Sequence, residues 1–133
     1  MRWVLLLVLA GTVAAADPVR VFCYFGYQVL DEHRAEAARL VEVLQADLTA
    51  AGWQLAAEDG DGPVVVVTVV IGRRHNASGA LVLRHAVMLE HSREPRLWVE
   101  QATELPAPYA SDNAESVVRR QLATLLAQQG LQP

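Results

Sequence analysis

The sequence predicts an α+β fold, a two-layer sandwich in which two helices cover one face of a mainly antiparallel sheet of four to five strands. Segments 32–51 and 113–128 carry apolar residues at intervals of three and four, the spacing of amphipathic helices. Other short segments are rich in β-branched and aromatic residues, as strands are. Each predicted helix has a single apolar stripe, so both can pack on the same side of one sheet.

The N-terminal part of this domain predicts a strand followed by the longer helix. Residues 19–25, VRVFCYF, alternate as a strand does. Asp31 is a good helix N-cap, and Gly52 is typical of a helix C-cap. Between them, the apolar stripe consists of Ala37, Leu40, Val41, Leu44, Leu48 and Ala51. One face of this helix is therefore predicted to be buried.

The middle of the chain predicts an antiparallel hairpin. Residues 64–72, VVVVTVVIG, are typical of a strand buried in the middle of a sheet. Residues 73–79, RRHNASG, predict a polar loop, and residues 80–91, ALVLRHAVMLEH, predict a second long strand. A short strand within 53–57 and a turn at 58–63, EDGDGP, precede the hairpin.

The C-terminal part predicts another strand and the second helix. Residues 96–102, RLWVEQA, favour a strand, and residues 105–109 contain two prolines and predict a linker. Asp112 and Glu115 have the spacing of a capping box at the start of the helix. The apolar stripe ahead of the helix stop at Gly130 comprises Val118, Leu122, Leu125 and Leu126.

The first sixteen residues, MRWVLLLVLAGTVAAA, have the pattern of a cleaved export signal. Arg2 gives a positive start, residues 3–13 are apolar, and residues 14–16 are alanines with the small-x-small cleavage pattern. This apolar stretch is too short for a membrane span, which needs about 20 residues, and that length disfavours a retained anchor. No cysteine follows it directly, which argues against lipid attachment. We expect a signal peptide at 1–16 and one α+β domain at 17–133, with no membrane span after cleavage.

The composition argues against nucleic acid and anionic membranes as partners. The chain has 11 arginines and no lysine against 15 acidic residues, for a net charge of −4, and it lacks a basic run. Its single cysteine leaves no internal disulfide, so packing must stabilise the domain. The Ala-, Val- and Arg-rich composition favours a bacterial source with a GC-rich genome, and an exported bacterial domain of this kind is expected in the periplasm.

Cys23 is predicted to fill the core. On a strand, Val21, Cys23 and Phe25 share one face, which we expect to lie against the helices. Unpaired cysteines are usually buried, whereas a nucleophile needs a lowered pKa from a helix N-terminus or a nearby base. His33, in the predicted first helical turn, is the candidate base. A thiol-dependent enzyme using Cys23, or an intermolecular disulfide, are the alternatives.

No metal or cofactor site is predicted. His85 and His91 share a strand face, but about 20 Å of strand separates them, and Met88 points to the other face. A copper or zinc site would need further partners, such as His75. Without close ligand spacing, these histidines are predicted to lie at the surface or at its boundary.

Other motif matches also fail to indicate chemistry. The EDGDGP segment has Pro63 and Val70 where a calcium loop needs oxygen ligands. Residues 76–78, NAS, match the glycosylation sequon, a match that is accidental in a bacterial protein. The sequence has no nucleophile elbow, no glycine loop for phosphate and no carboxylate pair at catalytic spacing. It therefore predicts a protein that is not an enzyme and needs no cofactor.

Two groups of residues are candidates for a partner surface. Phe22, Tyr24 and Trp98 lie on predicted strands and would mark the face that the helices leave open. The second group is the basic tip of the predicted hairpin loop, which would suit a carboxylate or phosphate but is more simply a solvated turn. It consists of Arg73, Arg74 and His75.

Most of the mature chain resembles the small βαβββα envelope domains of Gram-negative bacteria. The matching features are the LVLR strand at 81–84, the following short turn, the Leu97-Trp98 pair and the closing helix LATLLAQQGLQP. Such domains occur in uncharacterised periplasmic lipoprotein families, the lipopolysaccharide-assembly lipoprotein and the N-terminal domain of the Tol-system propeller protein. Many of them carry a lipobox cysteine, which this chain lacks.

The resemblance implies a non-catalytic accessory or docking role. We therefore expect an exported, periplasmic interaction module of the cell envelope, with another envelope protein as its partner. The alternative is a small-ligand or metal-binding periplasmic protein that uses Cys23, His75 and the histidines of the predicted strand at 80–91.

Overall fold

The computed structural model describes residues 19–57, 64–91, 98–106 and 111–133, except for the side chains of Trp98, Pro106, Ser111 and Asp112. The elements in chain order are β1 (Arg20–Tyr24), a one-turn 3-10 helix (Asp31–His33), α1 (Arg34–Ala50), β2 (Gln54–Leu55), β3 (Val64–His75), β4 (Leu81–His91), β5 (Trp98–Pro106) and α2 (Ser111–Gln128). The predicted leader, the turn at 58–63, the end of the linker and the Asp112 side chain lie outside the described residues.

Five strands form one mixed sheet in the order β2-β1-β3-β4-β5. β1 runs parallel to β2 and β3, whereas the longer β3–β4 and β4–β5 pairs are antiparallel. The β3–β4 hairpin runs from the Val65–His91 pair to the His75–Leu81 pair. The predicted α+β class with a mainly antiparallel sheet is confirmed.

Both helices pack on the same face of the sheet, and the core lies between the two layers. Strand alternation turns Val21 and Cys23 of β1 and the odd-numbered residues of β3 towards the helices. The predicted helix stripes meet them there, with Leu40 and Leu44 of α1 and Leu125 of α2 fully buried. Burying each of these leucine side chains stabilises the fold by about 1.5–3 kcal/mol.

The C-terminal end of α1 follows the sequence prediction, but its start does not. Gly52 has a φ of 100°, and the Trp53 N–H donates to the Leu48 carbonyl at 3.0 Å, so glycine ends the helix as predicted. Asp31 does not cap α1. It opens the 3-10 turn, and no side chain caps that turn or α1, which begins at Arg34.

The predicted loop at 73–79 is wrong in its first half, because β3 continues through His75. The backbone turns only at 76–80. There the Ser78 and Ala80 N–H groups both donate to the Asn76 Oδ1 at 3.0 Å, and Gly79 adopts a φ of 83°. Because the Asn76 side chain organises the turn, the polar residues before it can remain paired with β4. Arg73, for example, lies opposite Leu83.

The predicted linker also begins too early. Leu105 and Pro106 extend β5 and pair with Leu83 and Val82 of β4. Proline is tolerated there because β5 is an edge strand of the sheet. In the part of the chain that the structure describes, no helix has the length and apolar character needed to cross a bilayer.

Candidate partner surface and polar cavity

The sheet face opposite the helices carries an aromatic and aliphatic patch. Phe22 and Tyr24 stack with their ring centroids 5.0 Å apart, and Tyr24 is 37% exposed. Val66, Val70 and Met88 share this face by strand register and are half-buried. These five residues are termed the open-face patch. They lie on three adjacent strands, β1, β3 and β4, around the nearly buried Thr68, which stands between Tyr24 and Met88 in the register.

Ion pairs border the open-face patch on its β5 side. Arg74 of β3 pairs with Glu104 of β5 at 2.8 Å, and Arg84 of β4 pairs with Glu100 of β5. Each of these two arginines is thus neutralised by a carboxylate on the edge strand. Among the described residues, this side of the face offers no cluster of unneutralised cations, the feature that attracts anionic lipid or nucleic acid.

The structure brings together only part of the predicted partner surface. Phe22 and Tyr24 are adjacent, but the backbone of Trp98 lies on β5, three strands away from β1, and its side chain is outside the described residues. The three residues of the predicted basic tip belong to β3 instead of a loop. Arg73 and Arg74 point to opposite faces.

The predicted basic tip is consequently not one anion-binding cluster. Arg73 pairs with Glu32 beside the 3-10 turn at 2.8 Å, whereas Arg74 pairs with Glu104 on the other face. His75 is exposed at the end of β3. Since adjacent strand residues alternate sides, a run of three polar residues can converge on one ligand only in a loop.

Cys23 lies in the core, as predicted. It is 3% exposed on the helix-covered face, and burial raises the pKa of its thiol to about 12. The thiol is therefore protonated at neutral pH and is a poor nucleophile. This geometry therefore argues against a thiol-dependent enzyme that uses Cys23 as its nucleophile.

The prediction that His85 and His91 lie at the surface or at its boundary is wrong. His85 is fully buried and His91 is nearly so, because both lie on the helix-covered face of β4. Burial is the main cause that lowers the pKa of His85. His33 also lowers it, whereas Glu36 and the hydrogen bond that the imidazole donates to the Leu83 backbone oppose the shift. Within the described ranges, no three His, Cys, Asp or Glu side chains are grouped to hold a metal ion.

Two cavities beside α2 were not indicated by the sequence. An apolar one of about 170 Å³ lies between α1 and α2, with Leu48, Trp53 and Leu122 in its lining. A polar one of about 220 Å³ lies between α2 and β5. Its lining consists of Gln101, Thr103, Val117, Arg120, Gln121 and Thr124. No motif marks it, because its residues come from two segments that meet only through the sheet order.

Comparison with known proteins defines the class of this domain by its fold. No known family model matches the chain, and no curated protein matches it in sequence. Among solved structures, lipoprotein GNA1162 from Neisseria meningitidis is similar, with a TM-score of 0.50 and 11% identity over 84% of this chain and 99% of that one. This likeness shows a shared α+β fold.

Two further bacterial lipoproteins are similar at lower scores. The minor lipoprotein from Acinetobacter baumannii has a TM-score of 0.38 and 23% identity over 83% of this chain and 85% of that one. Rare lipoprotein B from Shewanella oneidensis has a TM-score of 0.42 and 10% identity over 83% and 96%. The resemblance to lipoprotein families inferred from the sequence is thus matched at the level of fold by GNA1162.

Proposed function

We propose that the chain is an exported, non-catalytic accessory module of the bacterial cell envelope that binds another envelope protein through the open-face patch. The observation that carries this proposal is the stacked Phe22–Tyr24 pair, which lies on a sheet face with no helix over it among the described residues. The export pattern at residues 1–16 and the fold shared with a bacterial lipoprotein support the compartment.

The chemistry of the open-face patch favours a protein surface as its occupant. Aromatic rings and methionine are enriched at the centres of protein interfaces, and Tyr24 can bury its ring while its hydroxyl keeps a hydrogen bond. The neutralised arginines at the border give no net attraction to an anionic bilayer. The partner is therefore expected to present apolar side chains within an electroneutral rim.

Site-specific photo-crosslinking in the native host tests this proposal. A benzophenone amino acid at Met88 should give a discrete adduct with one envelope protein, identified by mass spectrometry. Tyr24→Ser in the same chain should abolish the adduct. Leu81→Ser is the matched control. Leu81 is 38% exposed, nearly the same fraction as Tyr24, but it lies on the other face of the sheet.

A second crosslinking position, on the helix layer, serves as the negative control. A benzophenone at the exposed Ser116 of α2 should give no such adduct. Equal adducts from both positions, or a Met88 adduct that survives Tyr24→Ser, would refute the open-face patch as the interface.

Cell fractionation tests the compartment. Protein from the periplasmic fraction should begin at Asp17, and cytoplasmic protein with an intact leader would contradict export.

A further inference from the structure

We infer that the outer edge of β5 binds an extended segment of another protein as an additional strand of the sheet, with an acidic side chain of that segment beside Arg120. This edge is the border of the sheet farthest from β1 and β2. The inference goes beyond the proposed docking role, because it depends on backbone groups of β5 and uses no residue of the open-face patch.

The hairpin turn determines which backbone groups of β5 are free. The Asn76 N–H donates to the Ala80 carbonyl at 2.9 Å, so this pair and every second pair after it carry the β3–β4 hydrogen bonds. Even-numbered residues of β4 therefore turn their N–H and C=O groups towards β3, and odd-numbered ones turn theirs towards β5. Odd residues of β4 pair with odd residues of β5, for example His85 with Thr103. The even-numbered residues of β5 consequently turn their backbone groups outward.

Pro106 agrees with this assignment. It is an even-numbered residue of β5, so its missing N–H falls on the outer edge, where no ladder hydrogen bond is lost. The outward groups include the N–H and C=O of Glu100, Ala102 and Glu104, at intervals of about 6.8 Å. They form no hydrogen bond within the described part of the chain. An extended chain has N–H and C=O groups that repeat at the same interval.

The two edges of the sheet differ in how they are protected. At the other edge, β2 covers the first residues of β1, and the Gln45 Nε2 donates to the Cys23 carbonyl at 3.2 Å. At the β5 edge, both glutamates are held by arginines of β3 and β4 on the open face, and Ala102 between them is exposed. Apart from Pro106 at its end, this nine-residue strand lacks the features that keep other strands from pairing with an edge.

The polar cavity lies beside this edge, on the helix-covered face. Gln101 and Thr103 of β5 line it together with Arg120 and Thr124 of α2, and its volume is about 220 Å³. In an added strand, residues opposite Gln101 and Thr103 point to the same face as these two residues. Alternate side chains of the bound segment would therefore point towards the cavity, where they can be selected.

Charge determines the chemistry of the partner. Arg120 forms no ion pair within the described ranges, and none of the residues that line the cavity is acidic. A carboxylate of the added strand would form charge-assisted hydrogen bonds with it. A second copy of this chain fits less well. In a two-fold pairing centred on Ala102, Gln101 lies opposite Thr103 of the other copy, so no carboxylate reaches Arg120.

Fluorescence anisotropy with a labelled peptide tests the inference. The probe is Thr-Val-Thr-Glu-Thr-Val-Thr amide with both valines N-methylated. When its threonines pair with β5, the N-methyl groups point outward and prevent the peptide from stacking on itself. The matched controls carry the N-methyl groups on the two threonines beside the glutamate, or lysine in place of the glutamate. Each should bind at least about tenfold more weakly than the probe. No binding of the probe, or equal binding of either control, would overturn the inference.

Variants of the protein locate the site. Ala102→Pro removes a free N–H and leaves the β4–β5 ladder intact, so it should weaken probe binding by at least about tenfold, with thermal unfolding used to verify the fold. Arg120→Glu should reverse the preference, so that the lysine peptide binds more tightly than the probe. Arg119→Glu should not, because Arg119 points away from the cavity to Asp47 and Glu115. An unchanged preference in Arg120→Glu would overturn the assignment.

Sedimentation equilibrium distinguishes a second copy from another protein. The protein alone should be a monomer, whereas a dimer that Ala102→Pro dissociates would show that the edge pairs with its own copy and would overturn the inference. Tyr24→Ser should leave probe binding unchanged, so the β5 edge and the open-face patch can fail separately.

Discussion

At the scale of single residues, strand alternation predicts the environment of Cys23 but not that of His85. Val21 and Cys23 share a face, and placing the helices against it buries the sulfur, as the sequence indicated. The same alternation applies to His85, but its burial depends on coverage by α2, where Gln121 donates to the His85 carbonyl. That coverage is a tertiary property, so the polar character of histidine gave the wrong expectation.

The first prediction at this scale concerns the reactivity of Cys23. Because burial raises its pKa to about 12, native protein should resist alkylation by iodoacetamide at neutral pH. Protein unfolded in guanidinium chloride should react fully with one equivalent. Mass spectrometry of the intact chain measures both. Rapid modification of the folded protein would show that the sulfur is accessible and would revive the thiol-enzyme interpretation.

The second prediction concerns the pH dependence of stability through His85. Its pKa is lowered in the fold, whereas the unfolded chain has an ordinary histidine pKa of about 6.5. The unfolded state then binds more protons between these two values, so this contribution to stability is complete above about pH 6.5 and is lost as the pH falls below it. Its slope cannot exceed that of one proton, about 1.4 kcal/mol per pH unit.

Urea unfolding between about pH 7.5 and pH 5 measures this slope. His85→Phe should flatten the dependence, and the slope is the readout because the substitution also alters packing. His75→Gln is the matched control, since His75 is exposed. A His85→Phe slope equal to that of the unsubstituted protein would contradict the assignment.

At the scale of elements, periodicity predicted both helices and the hairpin strands, whereas the boundaries depended on hydrogen bonds that the sequence does not display. Gly52 could be predicted as a helix end because only glycine readily adopts its positive φ. The hairpin turn could not be placed at 76–80, because Arg73, Arg74 and His75 look like loop residues. Their place in β3 depends on cross-strand pairing and on the Asn76 side chain.

The prediction at this scale concerns the part that the Asn76 side chain plays in the hairpin turn. Asn76→Ala removes the acceptor of three hydrogen bonds and should lower the free energy of unfolding by about 1–2 kcal/mol. Ser78→Ala also destroys the sequon but removes only one of these bonds, so its effect should be smaller. Chemical denaturation compares the two. Equal losses would show that the Asn76 side chain does not organise the turn.

At the scale of the whole molecule, the fold class followed from the sequence, but the strand order did not. Two amphipathic helices and several strands suffice to predict a two-layer sandwich. The placement of β1 between β2 and β3 requires a parallel pairing, which no local pattern specifies. For the same reason, the polar cavity could not be predicted, since β5 and α2 meet only once the sheet is assembled.

The prediction at this scale tests the one-sided core. Because no disulfide is available among the described residues, the helix–sheet interface must supply most of the stability. Leu44→Ala, in the centre of that interface, should lower the free energy of unfolding by about 2–5 kcal/mol. Leu81→Ala, at an exposed position, should cost less than about 1 kcal/mol. Comparable losses in urea denaturation would contradict a single dominant core.

The insertion of β1 between β2 and β3 has a consequence for the order of assembly. The β3–β4–β5 meander joins neighbours in the chain, whereas the β1–β3 pairing closes a loop from Tyr24 to Val64 that contains all of α1. Loop closure of that length is entropically costly, so the meander is expected to form before β1 docks. Until then, the valine-rich edge of β3 is unprotected, and this interval is when a newly made chain is most exposed to aggregation.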